Sequence, residues 1–309
     1  GIAVYGGTVD ITNSKDATIK AKEYGIQSSG EILSSTITNN GTIDLDFQNT
    51  NYLVAIDTRN LNDSHILNNG DINASYTGTE EGYGFTGIET DDLINKSSVI
   101  NTKNINLKTS NDNSGIITGT LKNTSYIKNS GDINLAGSSA IGITTEGMED
   151  DSYILNEGTI TVESNTISAV GIFVGSMQAN DISSISSIEN TGTISSSNFG
   201  IYIIEASDSG NTKLHDGKIT NSGTITAESY SIRIEDTNFD NLTITNKSTG
   251  ILNGNIQAYG GSGNLLKNEG KIHLGINDSK STPTDYEIVT NNFTQTANGK
   301  LQIKVDNSA

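Results

Sequence analysis

The sequence predicts an all-β fold: a right-handed, single-stranded parallel β-helix (a β-solenoid) of about ten coils with a C-terminal β cap. Two recurrences predict it. A seven-residue pattern, Ile-x-Asn-x-Gly-x-Ile, stands at 37–43, 66–72, 127–133, 154–160, 188–194 and 219–225, and at 266–272 with Leu in front. Looser copies lie at 11–19, 99–105 and 244–251. Between copies falls a shorter pattern: Gly25-Ile26, Gly87-Ile88, Gly115-Ile116, Gly142-Ile143, Gly171-Ile172 and Gly200-Ile201, with Ser231-Ile232 as a variant.

The Asn of the first motif recurs as Asn13, Asn39, Asn68, Asn101, Asn129, Asn156, Asn190, Asn221, Asn246 and Asn268, at spacings of 22 to 34 residues. Repeats of this length are too short and too variable for propeller blades, and no long helical periodicity runs between the Gly and Asn punctuation. Short strands that turn one or two Ile inward suit stacked coils, in which each strand pairs in parallel with its equivalent one coil away. Ladders of Ile then fill the interior, at roughly 1.5–3 kcal/mol per buried side chain before conformational entropy is subtracted. Gly and Asn are expected at corners, in backbone conformations with positive φ. The Asn row is expected to form an amide ladder, each side chain also bridging its own backbone.

Insertions fall in the connections between the motifs. In the connection 76–85, Tyr76, Tyr83 and Phe85 stand among glycines and Glu80-Glu81; these three rings are the ligand-binding residues the sequence suggests. The one proline, Pro283, lies in a polar stretch that interrupts the coil spacing, which predicts a solenoid over 1–276 and a cap or junction over 277–309. Alternation at Leu301, Ile303 and Val305 predicts a strand inside that cap.

A hydrophobic content of 33% is thin for a compact globule but sufficient for the narrow interior of a solenoid. The formal net charge of −18, with Arg59 and Arg233 the only arginines, argues against nucleic acid and anionic bilayers as partners. The absence of Cys suits a chain that crosses a membrane unfolded. No apolar run reaches the ~18 residues of a transmembrane helix. The chain opens inside a repeat and is expected to be a piece of a longer exported protein.

Ile-x-Asn-x-Gly-x-Ile alternating with Gly-Ile resembles the passenger domains of classical monomeric autotransporters, the type V secretion family, over essentially the whole chain. The terminal stretch 293–305, Phe-Thr-Gln-Thr-Ala-Asn-Gly-Lys-Leu-Gln-Ile-Lys-Val, is similar to the closing segment of many such passengers ahead of an outer-membrane barrel. The resemblance implies a β-helix displayed on the bacterial cell surface or secreted from it. It implies roles in adhesion, aggregation or toxicity, and membrane contact only through a barrel outside these residues.

Little in the sequence suggests catalysis. His65, His215 and His273 fall at unrelated places in their repeats, and a Gly-Asp-Ser-Gly nucleophile motif is missing. The acidic groups Glu80-Glu81, Asp91-Asp92 and Glu149-Asp150-Asp151 lie in connections, do not repeat from coil to coil and lack a nearby Arg, so they read as solvated charge. No catalytic residue, metal or cofactor is therefore expected. The sequence points to a non-catalytic adhesin or self-association module, acting through its polar surface and loops on a host-cell or bacterial-surface ligand or on a second copy of itself. The alternatives are a β-helical polysaccharide lyase or hydrolase, and an inert stem carrying an N-terminal effector.

Overall fold

A computed structural model describes residues 1–46, 52–76, 84–178, 184–204, 216–235, 241–258, 263–275 and 286–303. Among them the chain forms strands and turns without a helix, arranged as one sheet of 22 strands and one of 11. The strand pairings are parallel from end to end, for example Ile127 with Ile154 and Ile133 with Ile160. This is the predicted parallel β-solenoid.

One coil illustrates the rest. Tyr126–Asn129 forms the first face. After a turn at Ser130-Gly131 the chain enters Asp132–Glu149, a continuous 18-residue strand that supplies the second and third faces, with a register shift between Gly137 and Ser139. Each face contributes one aliphatic column to the interior. On the first, Ile37, Ile66, Val99, Ile127, Ile154, Ile188 and Ile219 stand in register. On the second, Ile43, Ile72, Ile105, Ile133, Ile160, Ile194 and Ile225 do the same. On the third run Ile26, Ile56, Ile88, Ile116, Ile143, Ile172, Ile201 and Ile232. These side chains are completely buried. Identical branched residues at one-coil spacing interlock their methyl groups, which is why the motif tolerates so little variation at these positions.

Among the described residues the first face has eleven strands, against about ten coils predicted. The additional rung is Asn292–Gln295, which follows the Pro283 stretch yet pairs in parallel with Leu265–Asn268 and places Gln295 over Asn268. Lys300–Ile303 likewise continues the second face against Lys271–Leu274. The loose copy ending at residue 251 is corrected by one position: Leu252 joins the Ile column, whereas Ile251 pairs with Thr224.

The expected role of the motif glycines is also corrected. Neither Gly131, Gly158, Gly192 and Gly223 nor the Gly-Ile glycines have positive φ. They are glycine because there is no room: a Cβ at Gly158 would meet the carbonyl oxygen of Gly131, and one at Gly171 would meet Ile194 Cγ2 and the carbonyl of Gly200. Left-handed backbone occurs instead at Asp63, Asn95, Lys96, Asn123, Thr124, Asp150 and Asp151, in the corner that precedes the first face. Behind these residues stands a buried serine column, Ser35, Ser64, Ser97, Ser125 and Ser152. Each hydroxyl donates to a carbonyl two or three residues back, as Ser97 does to Ile94 at 2.6 Å and Ser125 to Lys122 at 2.6 Å.

The amides of the first face run through the interior. Each Asn Nδ2 donates to the Oδ1 of the next coil: Asn13 to Asn39, Asn39 to Asn68 and Asn68 to Asn101, each at 2.7 Å, then onward through Asn129, Asn156, Asn190, Asn221, Asn246 and Asn268 at 2.8–2.9 Å. The last link runs from Asn268 to Gln295 Oε1 at 3.3 Å. The second N–H of the amide closes its own turn, as from Asn129 to the Gly131 carbonyl at 3.0 Å and from Asn156 to Gly158 at 3.2 Å.

Asn156→Ala should therefore strand the Asn129 donor and the Asn190 acceptor in a dry interior, lowering unfolding stability by about 1–3 kcal/mol for each polar group left unpaired. Asn134→Ala, which removes a link in the outer row of the second face, should stay within about 0.5 kcal/mol. Urea unfolding of both variants reads the contrast; equal effects would contradict it.

Candidate functional site

The two described members of the three aromatic residues singled out in the sequence, Tyr76 and Phe85, both pack toward the core. Phe85 is 1% exposed and lies in Gly84–Thr90, in register with Leu53 and Asn113, so it is a core residue and is corrected as a ligand contact. Its strand was hidden because the Gly-Ile motif begins only two residues later. Tyr76 is partly buried against the core, and Tyr83 lies outside the described residues. The amide ladder offers a ligand no access: Asn39, Asn68, Asn101, Asn129, Asn156, Asn190, Asn246 and Asn268 are 0% exposed and Asn221 1%. His65 faces partly outward, bonded through Nδ1 to Ser98 Oγ at 2.9 Å, and His273 bonds Asn253 Oδ1 at 2.8 Å; His215 lies outside the described residues.

Chemistry gathers instead on the outer surface of the third face. There the residue after each Gly-Ile pair points away from the core, and consecutive coils stack these positions: Gln27, Asp57, Glu89, Ile117, Thr144, Phe173, Tyr202 and Arg233. The column changes character along the axis. Its first part is acidic and hydrogen-bonded. Gln27 Nε2 donates to Asp57 Oδ2 at 2.9 Å, and the Tyr52 hydroxyl donates to Glu89 Oε2 at 2.7 Å. Burial pushes the Glu89 carboxyl above its ordinary range; the Tyr52 hydrogen bond opposes this, while Asp57 and Asp91 add to it. Beside it an open groove of about 580 Å³ is lined by Asn60, Asp91, Asp92, Glu146 and Phe173. Asp92 accepts from the Thr120 amide at 2.8 Å and pairs with Lys122 at 2.5 Å. Asp91 faces Arg59 at 3.7 Å with both side chains more than half exposed, a weak pair. The expectation of acids without an Arg at hand is thus corrected; Arg59 sits one coil away. Among the described residues, no three His, Asp or Glu side chains converge in a way that would hold a metal ion.

The second part is aromatic. Phe173 meets Tyr202 edge to face at 5.6 Å, and Phe199 lies 4.8 Å from Tyr202 and 6.1 Å from Tyr230. The Arg233 guanidinium stands 5.1, 5.6 and 5.2 Å from the rings of Phe199, Tyr202 and Tyr230, and is ion-paired with Glu235. Its Nε is buried without an acceptor, so the ring faces supply much of its electrostatic environment. Tyr202 donates to Glu235 at 2.6 Å and Tyr230 to Glu287 at 2.8 Å. Burial and the Glu235 carboxylate together raise the Tyr202 phenol to about 12, so it stays a donor at any physiological pH.

Sequence reasoning missed this cluster because its members come from three coils, with Phe199 26 residues after Phe173 and Tyr230 28 residues after Tyr202. A signal was present: aligning the copies on Gly-Ile puts Phe173, Tyr202 and Arg233 at one offset, and Phe199 and Tyr230 immediately before the Gly or its Ser substitute.

The fold is a parallel β-solenoid whose third face carries an aromatic cluster on its outer surface. Residues 2–233 match the family model of the BigA third pectate lyase-like domain, and the chain belongs to that family. Neither the curated proteins nor the solved structures contain a significant match.

Two outcomes follow. Phe85→Ala should destabilise the fold by about 3–5 kcal/mol in chemical unfolding, as expected of a core ring rather than a surface contact. Glu89→Gln should be more stable than the native chain at pH 7. The folded carboxyl holds its proton more tightly than the unfolded one, so stability falls as pH rises through the window above 4.5, and Gln removes that loss. The advantage should vanish toward pH 4; an advantage constant across this range would refute burial as the cause.

Proposed function

We propose that this chain is a non-catalytic recognition module of a bacterial surface protein, an adhesin-like stem of the autotransporter type that presents its third face to a host-cell or bacterial-surface ligand. The observation that carries this reading is the cluster of Phe173, Phe199, Tyr202, Tyr230 and Arg233 on the outside of a rigid sheet. Aromatic and Arg side chains dominate binding energy at interfaces, because rings bury large areas at little entropic expense. The solenoid holds them in place before any ligand arrives, which lowers the ordering cost of association. Many such contacts along a displayed rod sum through multivalency.

An enzymatic reading draws on the family's description as pectate lyase-like and on the carboxylates beside the groove. Asp91 and Asp92 each already face a cation, and the groove is open, which favours binding over chemistry at this position.

Beads coated with the triple variant Phe173→Ala/Tyr202→Ala/Tyr230→Ala should adhere to target cells at least about tenfold less than beads with the native chain, at unchanged β-sheet circular dichroism. Undiminished adhesion would remove the third face as the contact surface. Polysaccharide cleavage by the native chain that disappears in Asp91→Asn/Asp92→Asn would replace this reading with the enzymatic one.

A further inference from the structure

We infer that the aromatic cluster of the third face is a subsite for an uncharged glycan chain, its sugar rings stacked on Phe173, Phe199, Tyr202 and Tyr230 along the solenoid axis. The inference rests on the reading of this face as the contact surface and names the ligand class it takes.

Geometry comes first. The rings come from three successive coils, about 4.8 Å apart along the axis as parallel strands require, with Phe199 and Tyr202 on one strand, and neighbouring centroids lie 4.8–6.1 Å from each other. They follow the outer surface of one parallel sheet, with Phe173 in register with Tyr202 and Phe199 in register with Tyr230. A protruding peptide side chain gains most from a pocket that surrounds it. A pyranose needs only a flat partner: one of its faces carries C–H groups that meet the negative face of an aromatic ring, and its rim carries hydroxyls. For those hydroxyls the border of the track supplies carboxylate acceptors, Glu235 and Glu287, both of which already accept from the tyrosines and retain further lone pairs.

Charge then narrows the class. Among the described residues the cation of the track is Arg233, which is already paired with Glu235, so an incoming carboxylate or sulfate finds no free counter-charge among them. The whole chain carries −18, and its field opposes an anionic polymer. A cationic segment drawn by that field would have to seat its charge beside Arg233, whose guanidinium stands 5.1, 5.6 and 5.2 Å from the centroids of Phe199, Tyr202 and Tyr230, and like charges repel there. A neutral chain meets none of these penalties.

The test is an array of neutral oligosaccharides in gluco, manno, galacto and xylo configuration, set beside uronate and sulfated counterparts and probed with the native chain. Binding should be confined to neutral members and should change little between about 0.01 and about 1 M salt, because no ion pair forms. It should weaken about tenfold in Tyr202→Ala and in Phe173→Leu, which keeps apolar bulk but loses the ring. Tyr126→Ala, on the first face, should bind as the native chain does. Preference for acidic members, or no glycan bound while adhesion still depends on the three rings, would overturn the neutral-glycan assignment and leave the contact face standing. Adhesion indifferent to the rings would overturn both.

Discussion

The internal row of amides is the constraint on which the rest of this solenoid depends. From Asn13 to Gln295 each carboxamide donates one N–H to the amide of the following coil, and most use the other to close their own turn. Every link therefore points the same way along the axis. A slip of one residue in any coil would carry its amide to the outer surface and leave two neighbours unpaired in a dry interior. Aliphatic columns alone cannot enforce this, since Ile against Ile tolerates sliding; directional hydrogen bonds between buried groups do not. The amide row sets the register and the three Ile columns supply the bulk of the burial.

The glycines serve the same stacking through absence of a side chain. Where successive turns lie directly over one another, as at Gly131, Gly158, Gly192 and Gly223, a Cβ would collide with the carbonyl of the coil before. Where the third face passes over the second-face Ile column, Gly142, Gly171 and Gly200 leave room for an Ile Cγ2. The conformational freedom of glycine is not in use at these positions. Left-handed turns are made instead by Asp, Asn, Lys and Thr at the corner before the first face, where the serine column behind them takes up the backbone carbonyls.

With register settled inside, outward positions are free to vary, and the third face shows it on both surfaces. Its inner column is Thr58, Thr90, Thr118 and Thr145, then Val174, Ile203 and Ile234. Its outer column passes at the same coils from Asp57 and Glu89 to Phe173, Tyr202 and Arg233. The part with a drier interior thus carries the aromatic surface. A parallel sheet whose outer side chains stack at a fixed rise is a natural scaffold for such a track, because neither the rings nor Arg233 must be ordered at the moment of binding.

Much of this was legible in the sequence. The recurrence of Ile-x-Asn-x-Gly-x-Ile and Gly-Ile by itself determined a parallel solenoid with an amide row and aliphatic columns, because periodic identity at one-coil spacing has few other physical uses. It did not reveal that the motif glycines answer to close packing instead of positive φ, since both needs select the same residue. Nor did it separate Phe85, sealed in the core, from the solvent-facing Tyr202, since variable connections disguise which coil position each ring holds. Only the tertiary structure decided which side chains leave the core on the same side and meet there. Phe173, Tyr202 and Arg233 become neighbours solely because stacking turns a separation of about thirty residues into a single step between strands.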